Sequence, residues 1–120
     1  MLAGPALAQA TPDYVVRFTG FLGDLRFPAD QTRAQLIAED DETARVAVAL
    51  VDESIGAFTL FTRTHVNNSV NMYICGQQVA TTTVQAPVDT GFAQSEPLPL
   101  ETAQAMVDAL NGLGECPEAE

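Results

Sequence analysis

The sequence contains no lysine, and only five arginines offset 16 aspartates and glutamates. The formal net charge is therefore −11 at pH 7. A surface this acidic repels the phosphates of nucleic acids and the headgroups of anionic lipids. We therefore expect no nucleic acid as a partner, and we expect the acidic excess to serve solubility rather than recognition of a cationic ligand.

The chain also lacks any apolar stretch that approaches the roughly 18 residues needed to span a membrane. This predicts no stable membrane insertion. A length of 120 residues fits one domain, and neither an internal repeat nor a low-complexity tract occurs.

The first ten residues are uncharged and contain small residues at 6–8 and 8–10 in the A-x-A pattern that signal peptidase recognises. We interpret 1–10 as the remnant of a signal peptide, with cleavage near Ala10 and Thr11, and the rest of the chain, 11–120, as a single domain. A disordered, alanine-rich start is the alternative.

Cysteine is scarce, because only Cys75 and Cys116 are present and no C-x-x-C motif occurs. Thiol-exchange chemistry is therefore not expected. Two cysteines in an exported protein favour a disulfide, and a bridge closing 75–116 would stabilise the fold by about 4 kcal/mol through loop-closure entropy. Two unrelated free thiols are the alternative. A periplasmic or secreted location is expected.

The sequence offers no recognisable set of residues for catalysis or metal binding. His65 is the single histidine, which leaves neither a zinc site nor a Ser-His-Asp triad with its usual residues. We expect His65 on the exposed side of a helix end. Glycine-rich phosphate loops and calcium-loop spacing are missing, and Asp40-Asp41 suits a solvated turn better than a glycosidase pair. We expect no cofactor, no metal and no enzymatic activity.

Alternating apolar residues predict strands in the first half of the chain. Residues 13–20 alternate as a strand and lead into a glycine-containing loop that extends to Pro28. Residues 31–38 suit either a short helix or a strand. An acidic turn at 39–42 and a strand within 43–53 follow, and the two segments around that turn are expected to form a hairpin.

The segment 54–66 is ambiguous between a strand and a helix. Its phenylalanines and threonines favour a strand. In a helix, however, Ile55, Phe58 and Phe61 fall on one face, and Asp52 or Ser54 is a suitable cap. The local pattern leaves both readings open.

A β-hairpin is predicted over 69–86. Glycine at the second position of the two-residue turn Cys75-Gly76 suits a type I′ turn. The expected cross-strand pairs are Met72 with Val79 and Val70 with Thr81.

The last predicted element is a helix at about 100–111. Pro87 is expected to end the preceding strand, and 89–95 to be irregular or briefly extended. Pro99 suits the first turn of the helix, and Gly112 or Gly114 its end. An apolar stripe for packing on a sheet consists of Leu100, Ala103, Val107 and Leu110.

From Arg45 onward, the order of elements resembles the periplasmic first-domain head of the protein-export subunit SecD. The family shows a strand ending in an acid, a helix with Phe-Thr, an apolar strand to a glycine turn, a return strand to a proline, and a helix with an acid followed by alanine. The corresponding stretches here are RVAVALVDE, AFTLFTRTHVN, SVNMYICGQQV, TTTVQAPVDTG and LPLETAQAMVDALNG. The resemblance is strongest over 45–114.

This resemblance implies a helix for 54–66. It also implies an α+β domain in which two helices pack on one face of a mainly antiparallel β-sheet. The sequence departs from the family at Cys75, where an acid usually precedes the turn glycine. It also contains none of the family's transmembrane helices, so we do not expect a translocation motor by itself.

Two functional hypotheses follow. The resemblance implies a non-catalytic module of the cell envelope that contacts polypeptide or an envelope protein in an export-related role. The alternative is a secreted domain that binds a small molecule or inhibits an enzyme. Phe21 and Leu22 lie between two glycines and are candidate partner contacts, unless their loop folds back on the core.

Overall fold

The computed structural model describes residues 14–51 and 53–116 of the chain. The predicted signal-peptide remnant at 1–10, with its cleavage site near Ala10 and Thr11, lies outside these residues. Asp52, one of the two candidate helix caps, lies outside them as well.

The described residues form eight β-strands and two α-helices. In chain order these are β1 (Val16–Gly20), β2 (Gly23–Phe27), β3 (Thr32–Ala38), β4 (Thr43–Leu50), α1 (Glu53–Thr64), β5 (Ser69–Ile74), β6 (Gln77–Thr83), β7 (Phe92–Gln94), β8 (Leu98–Pro99) and α2 (Leu100–Leu110). A short 3-10 helix at Ala29–Gln31 precedes β3.

The strands are divided between two four-stranded sheets. The first has the order β2-β1-β5-β6, and the second has the order β3-β4-β7 with β8 paired to β4 beside β7. All pairs of named strands are antiparallel. The predicted α+β class, with mainly antiparallel strands and two helices, is confirmed.

One apolar core joins both sheets and both helices. On α1, Phe58 and Phe61 pack against Phe18 of β1, with ring centroids 4.7 and 6.4 Å apart. On α2, Met106 and Leu110 are fully buried where the helix contacts β3 and β4. Burial of each such side chain contributes about 1.5–3 kcal/mol relative to exposure, so the core holds the sheets in a fixed arrangement.

The prediction of a loop between Gly20 and Pro28 is wrong for residues 23–27, because these residues form strand β2. It pairs with β1 so that Gly20 lies opposite Gly23 and Val16 opposite Phe27. Half-buried and buried residues alternate with exposed charged residues along β2. That alternation is the local signal of a strand, but the glycines around the turn favoured a loop.

The hairpin predicted around the acidic turn is confirmed. Residues 31–38, which suited either a helix or a strand, contain strand β3, and β3 pairs with β4 from Thr32 opposite Leu50 to Ala38 opposite Ala44. In the turn, one oxygen of Asp40 accepts hydrogen bonds of 2.8 Å from the main-chain N–H groups of both Glu42 and Thr43.

The predicted hairpin of β5 and β6 forms, but its predicted register is wrong beyond the first two pairs. An irregularity between Met72 and Tyr73 places Met72 opposite Ala80, and Val70 opposite Thr82. The extra residue of β6 is Val79, whose side chain is buried. A β-bulge leaves one residue outside the ladder, and here core burial of Val79 outweighs regular pairing.

Both helices are confirmed. The 54–66 ambiguity is resolved as α1, as the family resemblance implied. Ser54 lies inside this helix, where its hydroxyl donates a hydrogen bond to the side chain of Gln31 rather than capping. The second helix ends before Gly112, which adopts the left-handed conformation with φ of 76°, a usual helix terminator.

Candidate functional site

A groove of about 590 Å³ opens between the two sheets, within the volume range of ligand-binding sites. One border is the C-terminal part of β6 and the chain that follows it, and the other is β7 with the two residues after it. The floor is apolar and is formed by Phe18, Phe58, Val70 and Met72. Because these side chains belong to the core, the groove is an opening onto the core.

The first border of the groove is the free edge of β6. The main-chain N–H of Thr81 points toward Glu96, whereas the N–H of Val84 points to the carbonyl of Asn68, next to β5. Alternate residues of a strand direct their main-chain groups to the same side. Thr83 therefore directs its N–H and C=O away from β5, in the same direction as Thr81.

The second border is the free edge of β7. The carbonyl of Gly91 accepts from the N–H of Leu50, and the N–H of Ser95 donates to the carbonyl of Val46. These bonds face β4, so Phe92 and Gln94 direct their main-chain groups away from β4. Within residues 14–51 and 53–116, no hydrogen bond reaches these outward groups, nor those of Thr83.

Glu96 closes one end of the groove by joining the two sheets. Its main-chain N–H donates to the carbonyl of Val79 at 2.9 Å, and its carboxylate accepts from the N–H of Thr81 at 3.2 Å. The bulge in β6 thus contributes to the contact between the two sheets, because the Val79 carbonyl is free to accept the hydrogen bond from Glu96.

Three of the polar side chains that line the groove are already paired. Thr62 accepts a hydrogen bond of 2.8 Å from the N–H of Val88, and the hydroxyl of Ser95 accepts one of 2.9 Å from the N–H of Val46. Arg45 lies 3.1 Å from a carboxylate oxygen of Glu39. Across the described part of the chain, no buried polar side-chain atom lacks a partner. The free hydrogen-bonding capacity of the groove therefore lies along its two edges, in their outward main-chain groups and in the side chains of Thr82, Thr83, Gln85 and Gln94.

The candidate contacts Phe21 and Leu22 form the turn between β1 and β2, away from the lining of the groove. They are 85% and 61% exposed. The loop therefore does not fold back on the core, and the two side chains are accessible to a partner.

His65 was predicted on the exposed side of a helix end, and this prediction is wrong because its side chain is only 1% exposed. Nδ1 lies 2.8 Å from the carbonyl oxygen of Phe61, and Nε2 lies 3.0 Å from the main-chain nitrogen of Leu22. A carbonyl can only accept and an N–H can only donate. Both bonds therefore require the neutral ring with its proton on Nδ1.

The sequence did contain a signal for this burial, because Phe58, Phe61 and His65 continue one helical stripe at spacings of three and four. The partner surface was not visible locally. It is Gly20, where an added Cβ would overlap the imidazole ring. A histidine at the end of an apolar stripe thus packs where the facing strand has no side chain.

Cys75 and Cys116 form the predicted disulfide, with their Cα atoms 5.4 Å apart. Cys75 and Gly76 have φ angles of 54° and 81°, as the predicted type I′ turn requires. The bridge connects this hairpin turn to the segment that follows α2.

Most arginines are neutralised by neighbouring acids. Asp24 accepts hydrogen bonds from Arg17 and Arg26, and the bond from Arg17 is the main cause that lowers the pKa of Asp24 from 3.8 to about 2. Arg45 pairs with Glu39. The remaining surface carries an excess of negative charge.

No group of three or more potential metal-ligating side chains occurs among the residues that the structure describes. None of the described helices is both long enough and apolar enough to cross a membrane.

The sequence matches no protein-family profile and no curated protein. A solved structure does match. It belongs to SecDF, a membrane component that enhances protein export, with 17% sequence identity and a TM-score of 0.66. The match covers 95% of this chain and 69% of the SecDF chain. The fold is SecD-like. The resemblance inferred from the order of elements is confirmed at this level, and it extends well beyond 45–114.

Proposed function

We propose that the protein is a non-catalytic domain that works outside the cytoplasm and binds extended polypeptide in the groove between its two sheets, in an accessory role related to protein export. The observation that carries this proposal is the pair of strand edges, on β6 and β7, that border one apolar groove. Polypeptide is the ligand class that supplies both apolar side chains and main-chain hydrogen bonds.

Two further observations support the proposal. The fold is shared with SecDF, described as enhancing protein export. The disulfide between Cys75 and Cys116 is typical of proteins in oxidising compartments such as the periplasm or the extracellular space.

The existing bonds of three polar side chains in the groove favour a polypeptide ligand. They argue against the alternative of a domain that binds a small molecule or inhibits an enzyme. Small-molecule sites usually present a few convergent polar groups that fix the ligand. Here Thr62, Ser95 and Arg45 are already bound to neighbouring protein groups. A small ligand would meet mainly apolar surface, whereas a polypeptide would also meet the main-chain groups of the two edges.

The turn formed by Phe21 and Leu22 is the second contact surface in this proposal. Its two apolar side chains are exposed, and the hydrogen bond from Leu22 to the buried His65 fixes their position. A preorganised apolar tip loses little conformational entropy on binding. We assign it to an envelope protein rather than to the polypeptide in the groove.

Fluorescence anisotropy tests the proposal. An unfolded, labelled peptide with alternating apolar residues is titrated with the oxidised protein, and saturable binding at micromolar concentration is expected. Phe92→Ser should weaken binding, because Phe92 lines the groove and is 45% exposed. Leu113→Ser is the matched control, since Leu113 is 77% exposed and lies outside the groove lining.

Two results would contradict the proposal. One is a flat titration up to high micromolar protein. The other is equal binding by the two serine variants. The double change Phe21→Ser and Leu22→Ser should leave this peptide's affinity unchanged, and a loss would instead assign the polypeptide to the turn.

A further inference from the structure

We propose that the polypeptide binds as an inserted β-strand that pairs with β6 on one side and with β7 on the other. This inference rests on the proposed function, because it specifies how the same groove holds its ligand. The inserted strand would join β2-β1-β5-β6 and β7-β4-β3 into one continuous sheet.

The hydrogen-bonding groups for such a strand are present on both borders. On β6 they are the main-chain N–H and C=O of Thr83, which face the same side as the N–H of Thr81. On β7 they are the main-chain groups of Phe92 and Gln94. An extended peptide directs its successive N–H and C=O groups alternately to its two sides. Its main-chain groups can therefore face both edges at once, which those of a helix or of a small apolar molecule cannot do.

Glu96 already makes a contact of this kind at the closed end of the groove. Its N–H bonds to the carbonyl of Val79 on β6, and its carboxylate accepts from the N–H of Thr81. These two bonds reproduce the donor and acceptor of a paired strand residue. The inserted strand would continue from this point along the edges of β6 and β7.

The apolar floor determines the side-chain pattern of the ligand. Every second side chain of a strand points to the same face, so alternate residues would lie on Phe18, Phe58 and Met72. The intervening side chains would face solvent. The ligand is therefore an extended segment in which apolar and polar residues alternate.

From the sequence alone we expected the acidic excess to serve solubility rather than recognition of a cationic ligand; the inserted strand proposed here gives that charge a second role, which is to select among such segments. The net charge is −11, and Arg17, Arg26 and Arg45 are paired with acids. A segment flanked by arginine or lysine is attracted over longer range, and an acidic segment is repelled. The partner that fits is thus an alternating, basic, unfolded polypeptide.

Backbone methylation tests strand insertion. Three synthetic peptides carry the same Val-Thr alternation with arginine at both ends, and they differ in N-methyl groups: none, on the valines, or on the threonines. Each methylated set blocks one side of the strand. Because an inserted strand uses both sides, each methylated peptide should bind about tenfold more weakly than the unmethylated peptide, as expected for the loss of one or two hydrogen bonds.

The other outcomes separate this inference from the proposed function. Weakening by only one methylated set would show pairing with a single edge and would overturn insertion. Equal affinity of all three peptides would show binding through side chains alone, with the proposed function retained. Absence of binding by any peptide would overturn both.

A variant pair provides an independent measurement. Thr83→Pro removes the outward N–H at an edge where proline is tolerated, and Thr83→Val keeps that N–H as the matched control. Insertion predicts weaker peptide binding by the proline variant only. A glutamate-flanked peptide should bind several-fold more weakly than the arginine-flanked peptide. The difference in affinity between the two peptides should decrease at high salt.

A second copy of the protein could occupy the groove in place of a polypeptide. Analytical ultracentrifugation of the protein alone tests this, because it measures the oligomeric state. A monomer at the titration concentrations is expected. A dimer that the peptide cannot dissociate would assign the edges to self-association and would overturn the inference.

Discussion

The imidazole Nε2 of His65 accepts a hydrogen bond of 3.0 Å from the main-chain N–H of Leu22. One buried side chain at the end of α1 therefore holds the turn that exposes Phe21 and Leu22. The same ring packs over Gly20 and against Phe61, with ring centroids 4.3 Å apart. An apolar turn that is both exposed and rigid results from this contact.

Replacement of His65 by leucine should lower the free energy of unfolding by about 1–3 kcal/mol, because the N–H of Leu22 loses its partner. Urea denaturation measures this change. Leu60→Ala on the same helix is the control, since Leu60 is 60% exposed and its loss should cost about 0.5 kcal/mol or less. Amide hydrogen exchange at Leu22 should accelerate in the leucine variant only. Unchanged exchange there would contradict the assigned hydrogen bond.

Two glycine substitutions should have opposite effects on stability. Gly20→Ala should destabilise by about 1–3 kcal/mol, because the new methyl group would overlap the ring of His65. Gly56→Ala should stabilise by about 0.5–1 kcal/mol, because Gly56 is an exposed helical residue with free space around it. Thermal and urea unfolding of both variants measure the signs. An unchanged or increased stability of Gly20→Ala would argue against the packing of His65 on Gly20.

Removal of the disulfide should lower the free energy of unfolding by about 4 kcal/mol, since the bridge closes a loop with a sequence separation of 41. The Cys75→Ser, Cys116→Ser double variant and the reduced wild-type protein should show the same decrease in urea. Mass spectrometry without reductant should find the wild type two hydrogens lighter than its reduced form. Full alkylation of both thiols in the native protein, or an unchanged urea midpoint, would refute this prediction.

Asp24 should make stability depend on acid pH. Hydrogen bonds from Arg17 and Arg26 lower the pKa of Asp24 from 3.8 to about 2, so its contribution is complete above 3.8 and is lost as the pH falls through about 2. The carboxyl is 37% exposed, and solvent screening limits the effect to about 1 kcal/mol or less.

Asp24→Asn should therefore be less stable than the wild type at neutral pH, and the difference should disappear near pH 2. Urea unfolding across this range measures the effect. Asp41→Asn is the control, because Asp41 is exposed and has no ion pair among the described residues. A difference for Asp24→Asn that persists unchanged to pH 2 would exclude the ion pairs as its source.

Elements with a strong local pattern were predicted well from the sequence. The alternation in β4 and β5 and the apolar stripe of α2 each bury one face, so their local period determines their conformation. The turn at Cys75-Gly76 was also predictable, because few residues other than glycine adopt its positive φ at low cost. Strand β2 was missed because the glycines beside it favoured a loop over its short alternation.

Features that depend on distant segments were not predictable in this way. The bulge at Val79 exists because its carbonyl binds Glu96 and its side chain enters the core, and neither partner is a neighbour in sequence. The burial of His65 depends on its contacts with Gly20 and Leu22. Leu22 lies 43 residues before His65 in the sequence. The stripe of Phe58, Phe61 and His65 indicates burial, but no periodicity within α1 identifies these two partners.

Residue types and local spacing by themselves determined the C-terminal helix, the hairpin turn at Cys75-Gly76, the single pair of cysteines and the acidic character. The helix at 54–66 and the α+β class followed only from the resemblance to the SecD head. Only the tertiary structure decided that the strands form two sheets and that the edges of β6 and β7 border one groove. The physical reason is that a strand's free edge is defined by which strands it does not pair with. That property belongs to the packed molecule and not to any single segment.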